Sequence, residues 1–143
     1  MKKITLSLAL ILSLTVSAQQ TKRTKIAQES EFSVNETITN NDTLVYYYFS
    51  YQNQKYTHIT DIGSVLLNTK EQVLLLSDKL KEFSEITEKV TIEFKTREYT
   101  LAVYDFSNQI YLTDNKGKYT SISKNKALKL SNSMLIYVNY LKE

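Results

Sequence analysis

Cysteine, proline and tryptophan are absent from all 143 residues, glycine occurs only at Gly63 and Gly117, and histidine only at His58. Each gap excludes a class of chemistry. Without cysteine there is no disulfide framework, no thiolate metal site and no lipid-modified N-terminal cysteine. Glycine averages about 7% and proline about 5% of ordinary sequences, so both are strongly depleted here. Loops that cradle phosphate need several close glycines, which excludes Rossmann and Walker-type nucleotide sites. A nucleophile elbow wants the same residue. A lone histidine makes no zinc site without carboxylate help, and the lack of tryptophan argues against a dedicated sugar-stacking platform. No metal, cofactor or catalytic residue is expected.

Charge excludes another class. Lysine and arginine number 18 against 15 acidic residues, and without Lys2 and Lys3 the balance falls to sixteen against fifteen. Nucleic-acid binding has no electrostatic support at that balance. Lys22, Arg23 and Lys25 form the one basic cluster and read as a solvated tail.

What is present starts with an address. Lys2 and Lys3 precede an apolar run over 4–16, and Val16-Ser17-Ala18 has the small-residue spacing of a cleavage site. This predicts a signal peptide over 1–18 and a periplasmic or secreted product. The run falls short of the roughly 20 apolar residues a membrane span needs, and no later stretch is apolar enough to span. Residues 19–42, rich in Thr, Lys, Gln, Glu, Ser and Asn, read as a flexible arm, leaving one domain over 43–143. The sequons at Asn35 and Asn41 and the Asp42-Thr43-Leu44 pattern are read as chance.

Within that domain the clearest element is a helix over 69–83. Val73, Leu76, Leu80 and Phe83 fall on one face of a 3.6-residue period, with Leu75 widening the stripe. Two capping registers fit its start, Asn68 with Glu71 and Thr69 with Gln72. A second helix over 123–141 carries Ala127, Leu130, Met134, Tyr137 and Leu141 at the same spacing. The segment 44–51 is the strongest strand. Its alternation puts Val45, Tyr47, Phe49 and Tyr51 on one face and Tyr46, Tyr48 and Ser50 on the other. Residues 55–60 read as its return strand, Asp61-Ile62-Gly63 as a break, and 65–67 as a short strand into the helix. Strands over 90–95, 99–106, 110–113 and 118–122 complete a meander, with Gly117 supplying the left-handed position of the turn at Asp114. The expected fold is α+β: an antiparallel sheet of about six or seven strands with two helices packed on one face.

An internal echo runs through this pattern. Tyr48-Phe49-Ser50 before Lys55-Tyr56-Thr57-His58-Ile59-Thr60 matches Tyr111-Leu112-Thr113 before Lys118-Tyr119-Thr120-Ser121-Ile122-Ser123 at a constant offset. It reads either as two hairpins sharing β-propensity or as a duplication. In signal, size and these K-Y-T-x-I hairpins, the chain resembles the small uncharacterised exported proteins of Gram-negative bacteria. The resemblance implies export and carries over no site residue.

Candidate chemistry is sparse. His58 as a general base would need a triad with no local signature. Asp61, Asp105 and Asp114 lie at strand ends, where a pair could flank a sugar, although strand-end aspartate is ordinarily turn chemistry. A calcium loop at Asp114 is excluded by Lys116 at its third position. The eleven tyrosines are the distinctive feature. A flat apolar ring with a polar tip suits a contact surface, and Tyr46, Tyr48 and Tyr56 are the candidate binding residues. The functional expectation is a non-enzymatic periplasmic or secreted binding module with a protein partner in the envelope. The alternatives are a small hydrolase using the strand-end carboxylates and a structural envelope component.

Overall fold

A computed structural model describes residues 21–29, 31–39, 45–55, 61–105 and 107–140, with the backbone alone at Tyr46, Val138 and Tyr140. The order ββββα occurs twice. Strands β1 (Lys22–Glu29), β2 (Phe32–Ile38), β3 (Val45–Gln52) and β4 (Ile62–Leu67) lead into helix α1 (Lys70–Glu85). Strands β5 (Ile92–Lys95), β6 (Tyr99–Val103), β7 (Gln109–Asp114) and β8 (Tyr119–Ser123) lead into α2 (Lys124–Tyr140). Each set forms its own antiparallel meander, sheet A (β1 to β4) and sheet B (β5 to β8).

The protein is α+β as expected, but the single sheet is a correction: α1 separates two complete four-stranded sheets. The expected arm is the second correction. Most of it is β1 and β2, paired from Lys22↔Ile38 to Glu29↔Phe32 and buried on one side through Ala27, Phe32 and Val34. A bulge at Ile26, between the paired positions Lys25 and Ala27, scrambles the two-residue period that would have revealed the strand. Strand β4 begins at Ile62 and contains Gly63; of the expected return strand over 55–60, Lys55 lies in a turn and the rest lies outside the described residues.

Register shows that the two halves repeat each other. Phe49 pairs with Val34 and Val65, and Leu112 pairs with Leu101 and Thr120. Strand β3 therefore corresponds to β7 at the offset seen in the sequence. The match of 55–60 to 118–123 does not hold, because β4, not 55–60, takes the place of β8. The helices carry a second repeat, at an offset of 54. Val73, Leu76, Ser77, Leu80 and Phe83 match Ala127, Leu130, Ser131, Met134 and Tyr137. Thr69 caps α1 by accepting the N–H of Gln72, which selects the second capping register, and Ser123 accepts the N–H of Lys126.

Both sheets and both helices share one core. Phe32, Phe49 and Leu67 of sheet A, Leu101, Ile110 and Ile122 of sheet B, and Leu76, Leu80, Leu130 and Met134 of the helices form one buried cluster. Burying each such side chain contributes about 1.5–3 kcal/mol. The helices run antiparallel, since Lys124 at the start of α2 donates to the carbonyl of Ile86 just past α1. They touch at matching residues: Ser77 Oγ donates to the Ser131 carbonyl at 3.1 Å, which leaves the Ser131 hydroxyl to donate to Ser77 Oγ at 3.0 Å. Helix α2 lies along β1, and Lys79 of α1 sits 5.0 Å from the ring centre of Phe94 on β5, so each helix reaches the sheet of the other half. Leu75, expected in the apolar stripe, is exposed.

The repeat also explains two unpaired core hydroxyls. Tyr99 Oη and Thr120 Oγ1 are buried without hydrogen-bond partners. Their counterparts by register are Phe32 and Val65, which need none. Tyr99→Phe and Thr120→Val should each leave stability unchanged or raise it by up to about 1 kcal/mol in equilibrium denaturation, because an unpaired buried hydroxyl is lost with little change of shape.

Candidate functional site

Alternation in β3 decides which tyrosines are structural. Tyr47, Phe49 and Tyr51 are buried against the helices and the other sheet, so the opposite set faces away from the core. Tyr48 lies half-buried on that outer face of sheet A. Tyr46 shares its face by register, and Tyr56 and His58 lie outside the described residues.

Around Tyr48 the outer face forms an open groove of about 520 Å3. Arg23 from β1, Asn35 and Thr37 from β2, Ser50 from β3, and Ile62 and Ser64 from β4 line it. Register explains the convergence: Arg23 is opposite Thr37, Asn35 is opposite Tyr48, and Ser50 is opposite Ser64. The bulge at Ile26 has a direct consequence here. Ala27 points into the core, and unbroken alternation would point Lys25 and Arg23 the same way; the extra residue turns both outward. Neither Asp61 nor Asp105 lines the groove.

Two of the three candidate carboxylates meet elsewhere, at the joint between the sheets. Tyr51 Oη donates to Asp114 Oδ2 at 2.9 Å. The other oxygen of Asp114 accepts the backbone N–H groups of Lys116 and Lys118, each at 2.9 Å. Asp61 accepts from Lys118 Nζ at 2.7 Å and from Asn53 Nδ2 at 3.0 Å. Beside them the Gln54 N–H donates to the Tyr119 carbonyl at 2.9 Å, while Asn53 Oδ1 accepts the Tyr119 N–H, so the end of β3 covers the open edge of β8. All four carboxylate oxygens serve the architecture. Asp105 is exposed on the turn after β6. No protein-family model, curated protein or solved structure matches the chain.

A second polar group sits on the inner side of sheet A. Glu36 lies close enough to the phenols of Tyr47 and of Tyr137 on α2 to hold both in their neutral form. Burial, then the Glu36 carboxylate, pushes the Tyr47 phenol up to about 12. The same two causes raise Tyr137, and burial with the Asp114 hydrogen bond raises Tyr51. Burial followed by Glu98 pushes Tyr99 up to about 12. Asp61 is held below its usual range by Lys118 and Asn53. The sequence carried no local signal for either network, because their members come together only through strand pairing.

The joint and its charges can be tested by substitution and by pH. A Cβ added at Gly63 would lie 2.2 Å from Cε2 of Tyr51, so Gly63→Ala should cost about 1–3 kcal/mol by overpacking. Tyr51→Phe should cost about 1–3 kcal/mol by leaving Asp114 short of a donor. Urea denaturation of both variants measures this. The pH dependence has two limbs. Tyrosines raised above their unfolded value of about 10 stabilise the fold fully below that pH, and the contribution is lost as pH climbs towards their folded values. Circular dichroism and tyrosinate absorbance should therefore change together in alkali. Asp61, depressed when folded, contributes above its unfolded value of about 3.9 and stops contributing as pH falls through its folded value. Asp61→Asn should flatten that acid limb.

Proposed function

We propose that this protein is an exported, non-enzymatic binding module whose contact surface is the outer face of sheet A around Tyr48, with a protein partner in the cell envelope. The observation that supports this is an outer sheet face that no described helix covers, on which a half-buried tyrosine lies beside exposed apolar side chains. Ile62 on that face is 66% exposed and Leu66 is 40% exposed. Apolar side chains left on a sheet surface beside an aromatic ring mark an interaction site more often than a scattered single residue does.

Export rests on the 1–18 pattern of basic start, apolar run and small-residue cleavage site. The hydrolase alternative loses its pair, because Asp61 and Asp114 are fully engaged in joining the sheets and Asp105 is on a separate turn. Among the described residues no helix is long and apolar enough to cross a membrane, which fits attachment by contact.

Affinity capture from envelope extract tests the reading, comparing wild type with the double variant Tyr48→Ala/Ile62→Ser. The wild type should retain a defined partner that the variant loses by roughly tenfold or more, the scale of a central aromatic contact. If the folded variant keeps every partner, this face is not the contact surface.

A further inference from the structure

The groove has a chemical bias that the tyrosine alone does not explain. Paired positions place Arg23, Lys25 and Gln28 of β1 on the outer face beside Ser33, Asn35 and Thr37 of β2. Tyr48, Ser50, Ile62, Ser64 and Leu66 continue it across β3 and β4. Among these described positions there are two cations and no carboxylate. Arg23 is exposed and makes no ion pair or hydrogen bond among the described residues. Sheet B differs at the matching place: Lys25 sits opposite Asn35, and its counterpart opposite Ala102 is Glu93. Among the described residues the outer face of sheet A carries one sign, whereas that of sheet B carries both Glu93 and Lys95.

A second, independent observation lies at the floor of the groove. Thr37 is 2% exposed and its Oγ1 has no hydrogen-bond partner. Two other buried hydroxyls lack partners, Tyr99 and Thr120, and both are core positions where the first half holds a hydrocarbon side chain. Thr37 is different. It lies on the outer face directly opposite Arg23 and lines the groove. A buried hydroxyl without a partner needs an explanation, and a ligand atom in the groove supplies one.

We infer that the groove binds an acidic segment of the partner polypeptide, with a carboxylate taken by the Arg23 guanidinium and the Thr37 hydroxyl as donors. This rests on the proposed function and adds the chemistry of the partner. Arginine presents a planar fork of donors suited to a carboxylate, and the hydroxyls of Ser50 and Ser64 with the Asn35 amide can add further donors. Exposed Ile62 and Leu66 on the same face favour a polypeptide, whose neighbouring side chains can cover them, over an acidic saccharide. The bulge at Ile26 is the device that makes the site, since it turns Arg23 and Lys25 outward.

The test uses the full mature chain and a short synthetic peptide in which Glu alternates with Val and Thr, against the same peptide with Gln for Glu. Isothermal titration should show the Glu peptide binding and the Gln peptide weaker by roughly tenfold or more, with affinity falling as salt rises. Arg23→Glu should abolish binding, and Thr37→Val should weaken it with the fold intact by circular dichroism. Equal binding of the two peptides, or unchanged binding to Arg23→Glu, overturns the inference. Binding of polygalacturonate or anionic vesicles in place of the peptide overturns the choice of a polypeptide. In the capture experiment, loss of the partner by Tyr48→Ala/Ile62→Ser but not by Arg23→Glu keeps the binding face and removes the acidic anchor. Retention of the partner by both variants removes the face itself.

Discussion

The contact between Tyr51 and Asp114 is the constraint on which the two sheets depend. By register these two residues occupy the same place in their respective halves, 63 positions apart, yet they touch each other. Ser77 and Ser131, equivalent positions of the two helices, also touch. Matching positions meet only near an axis that relates the halves, so two such contacts place the halves about an approximate twofold. The chemistry at each contact follows. A serine hydroxyl both donates and accepts, so identical residues satisfy one another between the helices. At the sheets a donor must meet an acceptor, and there the halves have diverged into a tyrosine and an aspartate. Both glycines serve this second contact. Gly63 leaves the room that the Tyr51 ring fills, and Gly117, at φ 76, shapes the turn that presents Asp114.

Elsewhere the halves differ in informative ways. Glu36, Tyr47 and Tyr137 form a polar group against sheet A, and the corresponding residues are Val103, Ile110 and Phe83, all apolar and buried. One half thus shows that a hydrocarbon solution fits this geometry, so the polar solution is not required by packing. Tyr99 and Thr120 are the reverse case, polar groups left without partners where the first half is apolar.

Much of the fold was legible where local pattern decides it. Both helices, the β3 strand and the Gly117 turn follow from periodicity and turn chemistry. The face assignment in β3 was also legible, and burial then selected which face looks outward. The first two strands were hidden because only Ala27, Phe32 and Val34 are buried apolar residues there and the bulge breaks their alternation. A polar composition read as a tether is in fact one face of a sheet. The helix repeat was in the sequence, with Leu-x-Leu-Ser at 74–77 and 128–131, but it is offset differently from the strand repeat. The longer connection between β3 and β4 separates the two offsets. The groove itself was not legible, because Arg23, Thr37 and Tyr48 become neighbours only through pairing of three strands.

The same bulge that hid β1 gives sheet A its character. Without it, Lys25 and Arg23 would take the inner-face places opposite Glu36 and Ile38 that Thr24 and Lys22 hold now. Thr24 carries no charge to desolvate at the half-buried place that Lys25 would otherwise take. A bulge is the smallest change that keeps the hydrogen-bonded ladder and sends both charges outward. It also puts them on the one sheet face where Ile62 and Leu66 are exposed. The fold thus resolves a packing conflict in its first strand by placing positive charge beside exposed hydrocarbon, and that pairing is what distinguishes sheet A from its repeat.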